Sequence, residues 1–118
     1  MAGAADAWQY LAMPNNVVVY CVRAEFADAA SRERYVQWLR DGHCAAVVRE
    51  GGALSGEVTV CDDGAVESRY LFGSRADFDA YEHGPAVVLR ADGARRFPPE
   101  AGVRLLRRLG TRVVRAPD

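Results

Sequence analysis

The chemistry open to this chain is narrow. All 15 of its basic residues are arginines, so no lysine can form a Schiff base or act as a general base. Two histidines are the side chains that exchange protons near neutral pH. His43 stands in WLRDGHCAA, five residues after Trp38 and two after Asp41, and an imidazole of ordinary pKa (~6.5) can take a proton and return it there. Arg23 and Glu25, two apart in a β-branched run, share one side of it. Arg23 would stabilise enolate charge and Glu25 would orient His43 or touch a ligand; the commoner alternative is an ion pair between them. Tyr35 would donate a hydrogen bond, and Trp38 would wall a pocket. Tyr20 is the second phenol, placed behind Tyr35 because its register turns it toward the helices. His83, just before Gly84, either reaches a ligand or serves the C-terminal end of a helix, where the dipole favours it. His43 has a plain reading too, as a packed and hydrogen-bonded residue at a weak point of its helix.

Other chemistries lack their residues. Cys21, Cys44 and Cys61 form no CxxC pair and are odd in number, which argues against a disulfide framework and against zinc. Cys44 adjoins His43, but neighbouring helical side chains point about 100° apart and cannot work as a pair. The sequence has no glycine-rich phosphate loop, GxSxG elbow or HExxH motif, so neither cofactor nor metal is expected.

These residues must be positioned by few elements. Val17 to Phe26, between Asn15-Asn16 and Ala27-Asp28, reads as a strand with an apolar set, Val18, Tyr20, Val22, Ala24 and Phe26, facing a core. Its other side runs from Val17, Val19 and Cys21 to Arg23 and Glu25. Asp28 caps a helix whose buried stripe is Tyr35, Trp38 and Leu39; beyond Gly42 the stripe restarts at Cys44, Val47 and Val48, which predicts a kink before a stop at Gly51-Gly52. Ala53–Asp62 and Ala65–Phe72 form a hairpin over the Asp63-Gly64 turn. Ser74 caps a second helix with Asp77 three residues on, and Gly84-Pro85 breaks it before a further helical piece to Arg96. Val103 to Leu109 satisfies neither period well and reads as a strand because the order otherwise lacks its last one.

The order strand, helix, hairpin, helix, strand is that of an α+β, ferredoxin-like β-α-β-β-α-β domain, an antiparallel sheet with helices on one face. A chain of 118 residues holds one such domain, expected at 17–114 between an N-terminal extension, 1–16, and a tail, 115–118. The extension carries Trp8, Tyr10, Leu11 and Met13 and would cover a cavity mouth or a partner. The uncovered sheet face predicts a homodimer.

The stretches YVQWLRDGHCAAVV and YEHGPAVVLR, with an Arg-Phe pair before the final strand, resemble a family of short bacterial domains known only as a domain of unknown function. The matching positions are Tyr35, Trp38, His43, Tyr81, His83, Pro85, Arg90 and Phe97. The resemblance spans 17–109 and implies the dimeric α+β barrel superfamily, in which two ferredoxin-like sheets close into a barrel. That superfamily includes cofactor-independent monooxygenases, polyketide-type cyclases, isomerases, haem-handling proteins and members without known activity. Cyclases of the olivetolic-acid type have a histidine directly after a Pro-Ala pair, where this chain has Val87, so that role does not carry over.

The expected function is therefore a dimeric α+β barrel that binds or transforms a hydrophobic or aromatic, polyketide-like small molecule. As an enzyme it would be a cofactor-independent cyclase or isomerase working by proton transfer, with His43, Arg23 and Tyr35 catalytic and Trp38, Glu25, Tyr20 and His83 touching substrate. The alternative is a noncatalytic dimerisation or regulatory domain. The arginines from Arg95 to Arg115 could hold an anion, but a pI near 6.1 and no aromatic residue between Arg104 and Arg115 speak against nucleic acid. No 18-residue apolar run and no readable secretion signal point to a cytoplasmic protein away from membranes.

Overall fold

In the computed structural model residues 17–117 are described, and the aromatic residues of the N-terminal extension lie outside them. Strand β1 (Val18–Phe26) leads into helix α1 (Ala29–Trp38), a π-helical turn (Leu39–His43) and helix α2 (Cys44–Arg49). The hairpin is β2 (Ser55–Val60) and β3 (Val66–Phe72); α3 (Arg75–His83), α4 (Pro85–Arg96), a 3₁₀ turn (Pro99–Ala101) and β4 (Val103–Thr111) follow. All pairings are antiparallel in the order β2-β3-β1-β4. This is the ferredoxin-like α+β arrangement, with the first and last strands paired at the centre and edge.

Local chemistry sets the boundaries. The Asp28 carboxylate accepts from the Ser31 amide at 2.7 Å and Ser74 Oγ from the Asp77 amide at 3.0 Å, so both helices begin on side-chain caps. Gly64 closes the hairpin at φ 89°, a backbone that glycine adopts without steric cost. Asp63 holds this turn by accepting from the Ala65 amide at 3.0 Å. Pro85 opens α4, where its missing amide proton costs nothing.

The period of two along β1 is met. Val18, Tyr20 and Ala24 are buried under the helices, joined by Val66, Ser68, Tyr70 and Phe72 from β3. One cluster gathers Val18, Tyr20, Tyr70, Phe72, Phe78 and Tyr81; a second gathers Ala24, Tyr35, Leu39, Val66, Phe97 and Val103. The weakly periodic last segment is a strand in full register with β1, from Phe26–Val103 to Val18–Thr111. Tertiary pairing decides it where local periodicity does not. The opposite face of the sheet carries Val19, Cys21, Arg23, Glu25, Glu67, Arg69, Leu71, Leu106 and Arg108 and, among the described residues, has no helix over it. Among the described residues no helix is long and apolar enough to cross a membrane.

Candidate functional site

Between the two core clusters the helices do not close onto the sheet, and a cavity of about 220 Å³ remains. The sheet contributes Tyr20, Val22, Ser68, Tyr70, Leu105 and Arg107 to its wall; the helices contribute Tyr35, Trp38, Leu39, His43, Val47, Leu89, Arg90 and Gly93. Its mouth lies along β4, where Leu105 is 45% exposed although it points to the helix side. A mostly apolar concavity with a few convergent polar groups is the usual form of a small-molecule site.

His43 reaches this cavity because of the π-helical turn. In an α-helix residues five apart lie about 140° apart and do not meet. Here the Cys44 amide donates to the Leu39 carbonyl, a five-residue step, and Gly42 leaves helical geometry at φ 159°, ψ −19°. The imidazole then stacks on the Trp38 indole, with centroids 3.9 Å apart and planes 20° from parallel. Burial pushes the His43 pKa down from 6.5 to about 4, against a smaller upward pull from Asp92. His43 is thus a neutral imidazole at neutral pH. Trp38 is anchored by donating from Nε1 to Asp92 at 3.3 Å, and Gly93 leaves room for its ring: a Cβ there would sit 3.1 Å from Cη2.

Three phenols face the same space as donors. Burial raises Tyr35 and Tyr81 to about 12 and pushes Tyr70 higher still, so all three remain protonated. Tyr35 packs among Phe26, Trp38 and Phe97. Tyr70 Oη lies near enough to Ser68 Oγ and the Cys44 thiol to feel both, yet neither Tyr70 Oη nor Ser68 Oγ makes a hydrogen bond of good geometry among the described residues, an arrangement uncommon in native interiors.

The cationic side of the cavity is not the one expected. Arg107 Nε donates to Tyr20 Oη at 2.8 Å, and its Nη2 meets both oxygens of Glu82 at 2.9 and 3.0 Å. Arg90 Nη1 donates to the same carboxylate at 2.6 Å. Burial disfavours the Glu82 anion, but these hydrogen bonds outweigh it and hold the carboxyl below its ordinary pKa. The sequence offers Arg107 only as one of the arginines from Arg95 to Arg115 that could hold an anion; what singles it out is its place in the otherwise apolar alternation Val103, Leu105, Leu109.

The structure brings His43, Trp38, Tyr35 and Tyr20 together and leaves three other candidates elsewhere. Arg23 and Glu25 were expected beside His43, but odd and even residues of a strand leave opposite faces. Arg23 instead meets Glu25 at 3.2 Å, Glu67 at 3.2 Å and Asp63 at 2.5 Å across the sheet from the cavity. His83 is exposed, its Nδ1 donating to the Asp79 carbonyl at 2.9 Å in the last turn of α3, away from the cavity wall. Tyr20, placed behind Tyr35 because it faces the helices, lines the cavity for that reason. No group of three or more His, Cys, Asp or Glu among the described residues could hold a metal ion.

No protein-family model and no curated protein matches the sequence. Solved structures do match. A dimeric ferredoxin-like protein from an uncultured marine organism superposes with a TM-score of 0.67 at 15% identity, covering 86% of this chain and 99% of that one. SnoaB, a cofactor-independent oxygenase from Streptomyces nogalater, gives 0.62 at 16% identity over 87% and 99%. A monooxygenase from the gene ActVA-Orf6 of Streptomyces coelicolor, in complex with the ligand nanaomycin D, gives 0.63 at 16% identity over 90% and 96%. Together with the strand order and the one-sided helices, these likenesses establish a ferredoxin-like α+β fold for the chain.

Proposed function

We propose that this protein is a cofactor-independent enzyme acting on a small aromatic molecule, and that His43 removes a proton from the molecule bound between sheet and helices. The observation that carries the reading is a neutral imidazole stacked on an indole in the wall of an apolar cavity. A histidine of low pKa is a weak base in isolation. It becomes adequate when the proton leaves an enolisable carbon or a phenol, because the new anion lies beside the imidazolium in a site of low dielectric and raises its pKa. Arg107 and the Tyr20 phenol supply the positive charge and hydrogen bonding that such an anion needs. Cyclisation, isomerisation and oxygenation of an aromatic compound can all begin with this step. The oxygenase and monooxygenase among the structural likenesses lend support to an aromatic substrate.

The working unit in this reading is a homodimer. Val19, Cys21, Leu71 and Leu106 form an apolar strip on the helix-free face, and a second copy is the natural cover for such a strip. The solved structures that resemble this chain include two named as dimeric ferredoxin-like proteins, both from uncultured marine organisms.

Proton transfer can be tested without the natural substrate. 2-Tetralone, an enolisable aromatic ketone, is incubated with the full chain in D₂O, and deuterium uptake at its α-carbon is followed by NMR. The wild type should accelerate uptake. His43→Gln should lower the rate by about 10²- to 10⁴-fold, the usual contribution of a general base. Uptake no faster than in buffer, or full activity in the variant, would overturn the proposal.

A further inference from the structure

We infer that the cavity selects an aromatic carboxylate of one or two rings, its carboxylate held at the mouth by Arg107 and Arg90 and a second, neutral oxygen held on the floor by Ser68 and Tyr70. This rests on the reading of the cavity as a small-molecule site and adds the chemical class of its ligand.

Charge decides the first half. Arg90 and Arg107 both line the cavity, whereas Glu82, which bridges them, does not. One carboxylate serves two guanidiniums, so the group presents one net positive charge to the cavity. Arginine's planar fork suits a carboxylate, which it can grip through two parallel hydrogen bonds. Tyr20 Oη already accepts from Arg107, which leaves the phenol's own proton to point at the same anion. The arginine side chains are partly exposed, 36% for Arg90 and 42% for Arg107, so the charged end of a ligand stays near water while its rings enter the apolar interior.

The second half comes from the two orphaned hydroxyls. Ser68 Oγ and Tyr70 Oη are buried and without a hydrogen bond of good geometry among the described residues, and burying such groups unpaired costs stability. A ligand oxygen between them would satisfy both, accepting from the tyrosine and donating to or accepting from the serine. Register gives the span: Ser68 and Arg107 are the two partners of Val22 on either side of β1, which puts them two strand spacings, roughly 10 Å, apart. A volume of about 220 Å³ falls below the ~300 to 1,000 Å³ of pockets that take drug-sized ligands, which limits the ring count.

The test is calorimetric titration of the full chain with three probes. These are 6-hydroxy-2-naphthoate, with oxygens at both ends; 2-naphthoate, without the hydroxyl; and 6-hydroxy-2-naphthamide, without the charge. The hydroxynaphthoate should bind the wild type about 10- to 100-fold more tightly than the amide, as expected for a charge-assisted pair. Arg107→Gln, or Arg90→Gln if the first variant does not fold, should collapse that ratio. Tyr70→Phe should weaken the hydroxynaphthoate roughly 3- to 10-fold and leave 2-naphthoate unchanged. Equal affinity for carboxylate and amide in the wild type, or a ratio that survives the arginine replacements, would overturn the carboxylate assignment while leaving the cavity reading in place. A Tyr70→Phe effect equal for both naphthoates would overturn the floor contact. Binding of none of the three would overturn the cavity reading and this inference with it.

Discussion

Arg23 and Arg107 sit on neighbouring strands, one register step apart, and end in opposite surroundings. Arg107 faces the helices, where it shares one carboxylate with a second arginine and holds a tyrosine of the cavity wall. Arg23, opposite Leu106 on β4, faces away and is enclosed by three carboxylates. Positive charge is therefore in excess around Arg107 and more than compensated around Arg23. An arginine facing excess positive charge can still bind an anion; one saturated by its own neighbours serves as an electrostatic fastener. Residue type alone does not separate the two, and the pairing register does.

The sharpest contrast between the faces is in core packing. Phe72 is fully buried against Phe78 and Tyr81 on the helix side, while Leu71, next to it, points to the helix-free face. Phe72→Ala should cost about 3–5 kcal/mol of unfolding free energy in urea titrations. Leu71→Ala should cost the isolated fold far less. Equal losses would mean that the two faces are not packed as differently as described.

A smaller effect separates the faces by pH. The unfolded chain protonates its histidine at the ordinary 6.5 and the folded chain protonates His43 at about 4. Between those values the unfolded state binds more protons, so stability falls as pH drops through this window, by at most about 3 kcal/mol. His43→Phe should flatten that part of the stability curve. A wild-type curve that is level from pH 7 to 4.5 would show that the imidazole is not held neutral by burial.

On the helix-free face the expected changes concern assembly. Leu106→Asp should convert a homodimer to a folded monomer in light scattering, with an unchanged far-ultraviolet dichroism spectrum. A wild type that scatters as a monomer at tens of micromolar would remove the dimer. The smallest effect is assigned to Arg23→Met, which leaves three neighbouring carboxylates unpaired and should lower the thermal midpoint by only a few degrees in 0.5 M salt, where exposed charges are screened, while the rate of deuterium uptake by 2-tetralone stays at its wild-type value. Loss of exchange activity in that variant would return Arg23 to the mechanism.

Much of this architecture is legible in local patterns. The apolar set of β1, the caps at Asp28 and Ser74, the Asp63-Gly64 turn and the Pro85 restart each carry their own physical signal, and each element forms where that signal lies. The site was legible only in part. His43 and Tyr35 stand out by type, and the five-residue step from Trp38 to His43 matches the hydrogen-bond spacing of a π-helical turn, but the stack itself depends on how Gly42 bends the backbone. Arg107 could not be assigned to the cavity before β4 was known to be a strand and its register against β1 was fixed. The orphaned pair Ser68 and Tyr70 is a property of packing, invisible in the spacing of two residues that look like ordinary members of an alternating strand.

A proton acceptor kept neutral by burial in the cavity wall is tested most directly by the pH dependence of deuterium uptake by 2-tetralone. With buffer-catalysed exchange subtracted, the protein-dependent rate should hold level as pH falls from 7.5 to 5 and decline only as His43 protonates at about 4. A rate already halved near pH 6.5, or one with the same profile in His43→Gln, would contradict it.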